Sequence, residues 1–263
     1  MERKAFARSL AALIAASSAF IAGLFGIGGP AHAEIQLLSA AAMQSVFKEI
    51  IGDFERTTGH RLAIRYATMG AITERVLAGE TADLVISSTQ SISTLVKEGR
   101  IQAGSQLAVC KTGVGIVVPS GTPNPRIRSI EDLKRALLDA RIVLYANPAG
   151  GGAAGIHIAS FIEKLGIAEQ LKLKTKFGAG GDVTEVTLAE GGGALGMTQI
   201  SEIVGKSGAD FVGPLPDELQ NYTGVTAGIP INAKSSEAVK SFMTFLQSPT
   251  ATAVIKAKGM EVD

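Results

Sequence analysis

The chain of 263 residues contains one cysteine, Cys110, and three histidines. A single cysteine excludes an internal disulfide, so an exported form of this chain must rest on a packed core. Cys110, within "LAVCKTGVGIVV", reads as a small apolar filler of that core. Only His60 and His157 lie beyond residue 33, and two distant histidines with one buried cysteine make no zinc site. Net charge is scarce too, at +1 from 25 basic and 24 acidic residues. Such a chain has no broad positive field with which to gather phosphates, which argues against nucleic acid as a partner. Past about residue 30, no apolar run approaches membrane-spanning length. There is no repeat, heptad or low-complexity tract. The hydrolase signatures GxSxG and HExxH are absent, as is the phosphate loop GxxxxGK(S/T): the glycines from Gly150 to Gly155 run into Ile156-His157, with no lysine. Catalytic residues, a metal and a cofactor are therefore not expected.

What is present begins with Arg3, Lys4 and Arg8, followed by a nearly apolar stretch from Leu10 to Ile27. A glycine-proline break and Ala31-His32-Ala33, of small-x-small form, come next. This is the pattern of a signal peptide over 1–33, cleaved after Ala33, and it places the mature protein in the periplasm. An uncleaved membrane anchor is the competing reading, disfavoured by the break and the cleavage pattern. No cysteine stands at the cleavage point, which argues against a lipid anchor. The segment holds three basic residues against Glu2, so its removal takes the net charge from +1 to −1. About 230 residues remain, enough to bury a core in one or two units.

"EIQLLSA" reads as a buried strand running into a helix from Ala40 to Thr58, with Ser39 at the junction as a capping residue and Val46, Phe47, Ile50, Ile51 and Phe54 on the apolar face. "HRLAIRYA" and "ADLVISS" alternate as strands, followed by helices at Ala71–Leu77 and "SISTLVKEGRI". Farther on, "SIEDLKRALLDA" is a helix capped by Ser129, "RIVLYANP" a strand, and "GIHIASFIEKLGI" a helix ended near Gly166. "KLKTKFG" and "GALGMTQ" read as strands, "DVTEVTLAEGG" and "SEIVGKS" as short helices, and the chain closes on one or two helices. Alternation of this kind implies α/β architecture with mainly parallel sheets flanked by helices.

Several strand-to-helix junctions share one composition. Ser39-Ala40-Ala41, Thr68-Met69-Gly70 and Gly152-Ala153-Ala154-Gly155 place small or hydroxyl residues where a strand ends and a helix begins, and Gly181-Asp182-Val183 is similar. Ligands of open α/β sheets settle beyond the carboxyl ends of the strands. Helix N-termini there present unpaired amides with partial positive charge, an anion site that needs no lysine or arginine. Ordinary capping accounts for any one junction; their joint occurrence favours a shared site. Glycine in such turns lets the main chain approach a ligand closely.

"LLSAAAMQSVFKEIIGDFERTTGHRLAIRYATMGAITERVLAGETADLVISS" resembles the opening of the periplasmic molybdate-binding proteins, type-two solute receptors of ABC importers. "NPAGGGAAGIHIASFIEKLGI", "DVTEVTLAEGGGALGMTQISEI" and "SFMTFLQSPTATAVIKAKGM" are similar to later family segments, in the same order. The resemblance implies a periplasmic-binding-protein type II fold with a two-strand hinge, crossing at "VCKTGVGIVV" and "YTGVTAGIPI". It implies one lobe from 34–111 with 226–263 and another from 112–225. It implies capture of a dehydrated tetrahedral oxyanion between the lobes by hydroxyls and backbone amides. By position it puts Ser39 in the first ligand-contacting turn, Thr68 and Met69 in the second, Ala154 and Gly155 in the third, Val183 at the fourth and Gln199 on a later strand.

Two positions depart from the family. Met69 stands where a serine is usual and Gln199 where a tyrosine is frequent, so two hydroxyl donors are missing from a site that depends on them. A small organic di- or tricarboxylate, with carbon for Met69, therefore fits as well as molybdate or tungstate. The expected protein is a monomeric, non-enzymatic receptor that passes a small anion to an ABC permease in the inner membrane; an exported enzyme or a sensor input is the remaining alternative. His157 lies within reach of the cleft or on an ordinary helix face, and Arg65 and Arg128 are either solvated or partners of a second carboxylate.

Overall fold

The computed structural model describes residues 32–234 and 236–262, so the expected signal segment lies outside the described residues except for His32 and Ala33. Strand β1 (Glu34–Ala40) leads through a 3-10 turn (Ala41–Met43) into α1 (Gln44–Thr58). Then come β2 (Arg61–Ala67), α2 (Met69–Leu77), β3 (Leu84–Ser88), α3 (Thr89–Lys97) and β4 (Leu107–Thr112). Past Gly113 the chain forms β5 (Val114–Pro119), α4 (Ile130–Asp139), β6 (Ile142–Ala146), α5 (Ala153–Lys164) and α6 (Ala168–Leu171). It continues through β7 (Thr175–Gly178), α7 (Val183–Glu190), β8 (Ala194–Gln199) and β9 (Ala209–Pro214). After the stretch 215–222 come β10 (Thr223–Gly228), α8 (Ser236–Leu246) and α9 (Pro249–Ala257).

The strands make two five-stranded sheets, ordered β2-β1-β3-β10-β4 and β7-β6-β8-β5-β9. Both are mixed. In the first, β10 runs antiparallel to β3 and β4; in the second, β5 runs antiparallel to β8 and β9, while the pairings of β1 and of β6 are parallel. Each reversed strand is the one that arrives by crossing from the other sheet. The outgoing crossing is at Gly113, as expected. The return runs through 215–222, while the stretch expected to make it, 222–231, instead supplies β10 of the first sheet. Gln220 joins the two crossings: its Oε1 accepts from Val114 N at 2.8 Å and its Nε2 donates to Val114 O at 2.9 Å.

Packing explains the helices. On α1 the buried residues Val46, Phe47, Ile50 and Phe54 recur at helical spacing, and Phe54 meets Phe242 of α8 edge-on at 4.9 Å. A second core joins Leu133 and Leu137 of α4 to Val143 of β6 and Phe161 of α5. Gly59, at φ 74°, ends α1 in the left-handed conformation that glycine adopts without strain. Cys110 is buried, with Sγ at 3.8 Å from the sulfurs of both Met43 and Met260, and burial pushes its thiol up to about 12. A thiol held so far above neutrality carries almost no thiolate, so Cys110 is expected to resist a thiol reagent at about pH 8 until denaturant is added. Full labelling of the folded protein would contradict that.

Two expectations shift. Ser39 does not cap a helix: it lies in β1, fully buried, with Oγ at 3.3 Å from Ala40 O, because the chain enters the 3-10 turn from Ala40 before α1 begins. "SEIVGKS" makes only a 3-10 turn at Ile200–Glu202 and further turns.

Candidate functional site

Four helix beginnings converge on one small cavity between the two sheets. It is lined by Ala40–Ala42 ahead of α1, Ala67–Met69 at α2, Gly152–Gly155 at α5, and Gly180 and Gly181 ahead of α7. Ala146, at the end of β6, and Thr198, Gln199 and Glu202, at and just past the end of β8, complete the wall. Side-chain caps are mostly missing from these starts, as one also is from α6, away from the cavity. Helices α3, α4 and α9 begin under side-chain caps from Ser88, Ser129 and Ser248. Of the helices at the cavity only α2 has one, from Thr68; the turn at Ala41 and the starts of α1, α5 and α7 have none. Uncapped first-turn amides keep their partial positive charge and their need for an acceptor.

Among the described residues no lysine, arginine or histidine lines the cavity, and the one ionisable side chain there is Glu202. Burial pushes that carboxyl up to about 7, aided by Glu185 and Asp182 and opposed by a hydrogen bond from Thr198 and by Lys206. Thr198 Oγ1 donates that bond to Glu202 Oε2, and Thr184 Oγ1 donates to the main-chain oxygen of Glu202 at 2.9 Å. Gln199 is 5% exposed; its Nε2 lies at 3.4 Å from Thr223 Oγ1, and its Oε1 has no partner among the described residues. Rotating the amide by half a turn gives Oε1 to the Thr223 hydroxyl and frees two N–H donors.

The cavity measures about 40 Å³. A water needs roughly 10–15 Å³ on that measure, so the space suits about three waters or one compact anion. Two larger spaces flank it. One of about 640 Å³, behind Met69, is lined also by Gly70, Gly151 and His157. The other, of about 350 Å³, shares Glu202 with the cavity and carries Lys48, Lys206 and Lys258. Direct contacts cross between the sheets at the rim. Gly70 N donates to Gly151 O at 3.0 Å, Thr68 Oγ1 to Gly150 O at 2.7 Å, and Ser45 Oγ to Ser201 O at 2.8 Å.

Of the residues singled out from sequence, Thr68, Met69, Ala154, Gly155 and Gln199 meet around this cavity. Ser39 and Val183 do not line it; each is fully buried in its own half. His157 bonds Leu219 O at 2.7 Å and faces the larger flanking space. Arg65 pairs with Glu80 at 3.0 Å, and Arg128 is exposed; neither reaches the cavity. Sequence reasoning missed Glu202. Its signal was position, three residues past Gln199 in "TQISEI", beyond the carboxyl end of a strand.

Two mixed sheets flanked by helices and joined by two crossings make this a type II periplasmic binding protein in fold. The model of the bacterial extracellular solute-binding proteins matches residues 35–261, and the chain belongs to that family. It is similar to the molybdate-binding protein ModA of Azotobacter vinelandii, 27% identical over 242 residues that cover 90% of this chain and 93% of that protein. It is also similar to an aconitate isomerase of a Pseudomonas species, 25% identical over 233 residues covering 86% of this chain and 87% of the relative. In structure it resembles the Azotobacter vinelandii periplasmic molybdate-binding protein, with a TM-score of 0.74 and 17% identity over 87% of this chain and 99% of that one. The resemblance to the molybdate-binding proteins is thus borne out.

Proposed function

We propose that the protein is the exported receptor of an ABC importer and captures a small oxyanion of molybdate size, without transforming it. The observation that carries this reading is the set of uncapped helix starts around a 40 Å³ space that no cationic side chain among the described residues lines. Bare amides are fixed dipoles; they hold a dry anion without the reorganisation that a flexible lysine requires. In this reading 33–112 with 223–262 form one lobe and 114–214 the other. The ligand stabilises their closure by touching both, since only contacts that differ between open and closed forms drive the change. The protein acts as a monomer, is freed of its signal segment after Ala33, and passes its ligand to a permease.

A second reading has support of its own. The 640 Å³ space begins behind Met69, and one relative is named an aconitate isomerase. A tricarboxylate has more than twice the atoms of a tetrahedral oxyanion, and only displacement of Met69 would admit it. A thermal-shift panel separates the two readings. Ligand at a hundred times its dissociation constant adds about 2.7 kcal/mol, roughly 5–10 °C for a chain of this size. Molybdate, tungstate or sulfate is expected to give that shift, and citrate or aconitate none. The reverse pattern would establish the organic-acid reading, and consumption of aconitate an enzyme.

A further inference from the structure

We propose that Glu202 is the proton-carrying specificity residue of this cavity: the anion is taken up together with one proton, which sits on the Glu202 carboxyl and is offered to the ligand as a hydrogen bond. The inference rests on the anion-capture reading above and adds to it the protonation state of the bound form. An ionised carboxylate in the wall of an anion site repels the ligand at close range, in a space from which water is mostly excluded. Among the described residues no cation is placed to cancel it there, for Glu202 is the sole charged side chain of theirs that lines the cavity.

The charged groups around Glu202 offset its charge only in part, through Lys206. On the α7 side stand Asp182 and Glu185, both of which disfavour a second negative charge. Lys206 is nearby, but its Nζ is paired with Glu185. Across the 350 Å³ space, Lys258 is paired with Glu49 of α1, and Lys48 lines the same space from that helix. Each of the two paired lysines is thus matched by another carboxylate. The Thr198 hydroxyl donates to Oε2, leaving Oε1 to carry a proton. A carboxyl whose ionisation burial already disfavours in the empty site, with two acids beside it, is readily protonated when another negative charge arrives. Glu202 also borders both the inner cavity and the 350 Å³ space, so the proton has a route from solvent that does not pass the ligand.

The sign of the linkage follows. Bound anion raises the carboxyl's pKa above its value in the empty site. Affinity is therefore full below about pH 7 and falls up to tenfold per pH unit above it. The test is calorimetric titration with molybdate, and separately with sulfate, from about pH 6 to 8.5 in pairs of buffers with different ionisation enthalpies. Both probes keep their charge throughout that range. Wild-type protein is expected to take up close to one proton per anion at the alkaline end. Glu202→Gln, which keeps the size and cannot ionise, is expected to bind with no proton uptake and a flat pH profile, and at least as tightly as wild type when alkaline. Wild-type binding without proton uptake, or uptake that survives in Glu202→Gln, overturns the proposal and leaves anion capture standing. Failure of every anion to bind at any pH overturns the capture reading and this one with it. Wild-type binding without proton uptake overturns the proposal whether or not the variant folds; where Glu202→Gln fails to fold, Glu202→Ala, read the same way, takes its place.

Discussion

Gly70→Ala is expected to lose about a hundredfold in ligand affinity while keeping its fold. A Cβ at residue 70 would lie 2.7 Å from Gly151 Cα and 2.8 Å from Gly151 O, main-chain atoms that no rotamer change can move aside. The same two residues share the hydrogen bond from Gly70 N to Gly151 O. The clash therefore acts on the contact between the sheets and spares the packing within each. If the lobes close on a ligand as proposed, the added methyl removes most of the closed population, and apparent affinity falls by the lost fraction. A hundredfold corresponds to about 2.7 kcal/mol. Gly70 is the second residue of α2, where alanine is the better helix former by up to about 1 kcal/mol, so the unliganded melting temperature should hold or rise. Gly52→Ala, in mid-α1 with nothing within 4 Å of its added carbon, is the matched control and should leave affinity unchanged. Calorimetry with whichever anion the panel identifies reads both. Binding by Gly70→Ala within twofold of wild type would show that the rim contact is not part of the bound state.

Much of the fold was legible because local chemistry and packing agree. Val46, Phe47, Ile50 and Phe54 announce the buried face of α1, and Ser129 with Glu131 and Asp132 announces the start of α4; the structure has both. Strand β9 went unread. It holds Gly213 and ends at Pro214, both of which argue against a strand, and it tolerates them because it is an edge strand paired only with β5. Ser39 was misplaced for a related reason: a hydroxyl after a strand looks like a cap, but the intervening turn at Ala41–Met43 shifts the helix start beyond its reach. The convergence of helix starts was inferred from composition at the junctions, and the cavity gathers them. Glu202 could not be read in that way. In "SEIVGKS" it looks like an ordinary first-turn acid, and its raised pKa arises from burial and from Glu185 and Asp182, which only the folded chain brings near.

Gly155 separates a glycine that serves a ligand from one that serves packing. From sequence alone, the glycines ahead of α5 bare the main chain to an anion, and Gly155 does line the cavity. Yet its φ is not positive, so conformational freedom does not explain it. A Cβ there would lie 2.2 Å from Ala146 O and 3.2 Å from Ala146 Cβ, at the point where α5 crosses the end of β6. The obstacle is again backbone, but within one half. Gly155→Ala must push α5 away from the sheet or bend β6, and overpacking of a tight core contact costs about 3 kcal/mol. Alanine's helix preference returns at most about 1 kcal/mol of that. The expected result is a fall in melting temperature of roughly 4–10 °C, present with or without ligand. Gly150→Ala, with open space around the added carbon, should melt like wild type. A Gly155→Ala protein of unchanged stability that binds no anion would reverse the assignment, making Gly155 a ligand residue first. Equal losses in both measurements would mean that the packing of α5 on β6 is itself what aims the uncapped amides, so that the fold and the site share one contact.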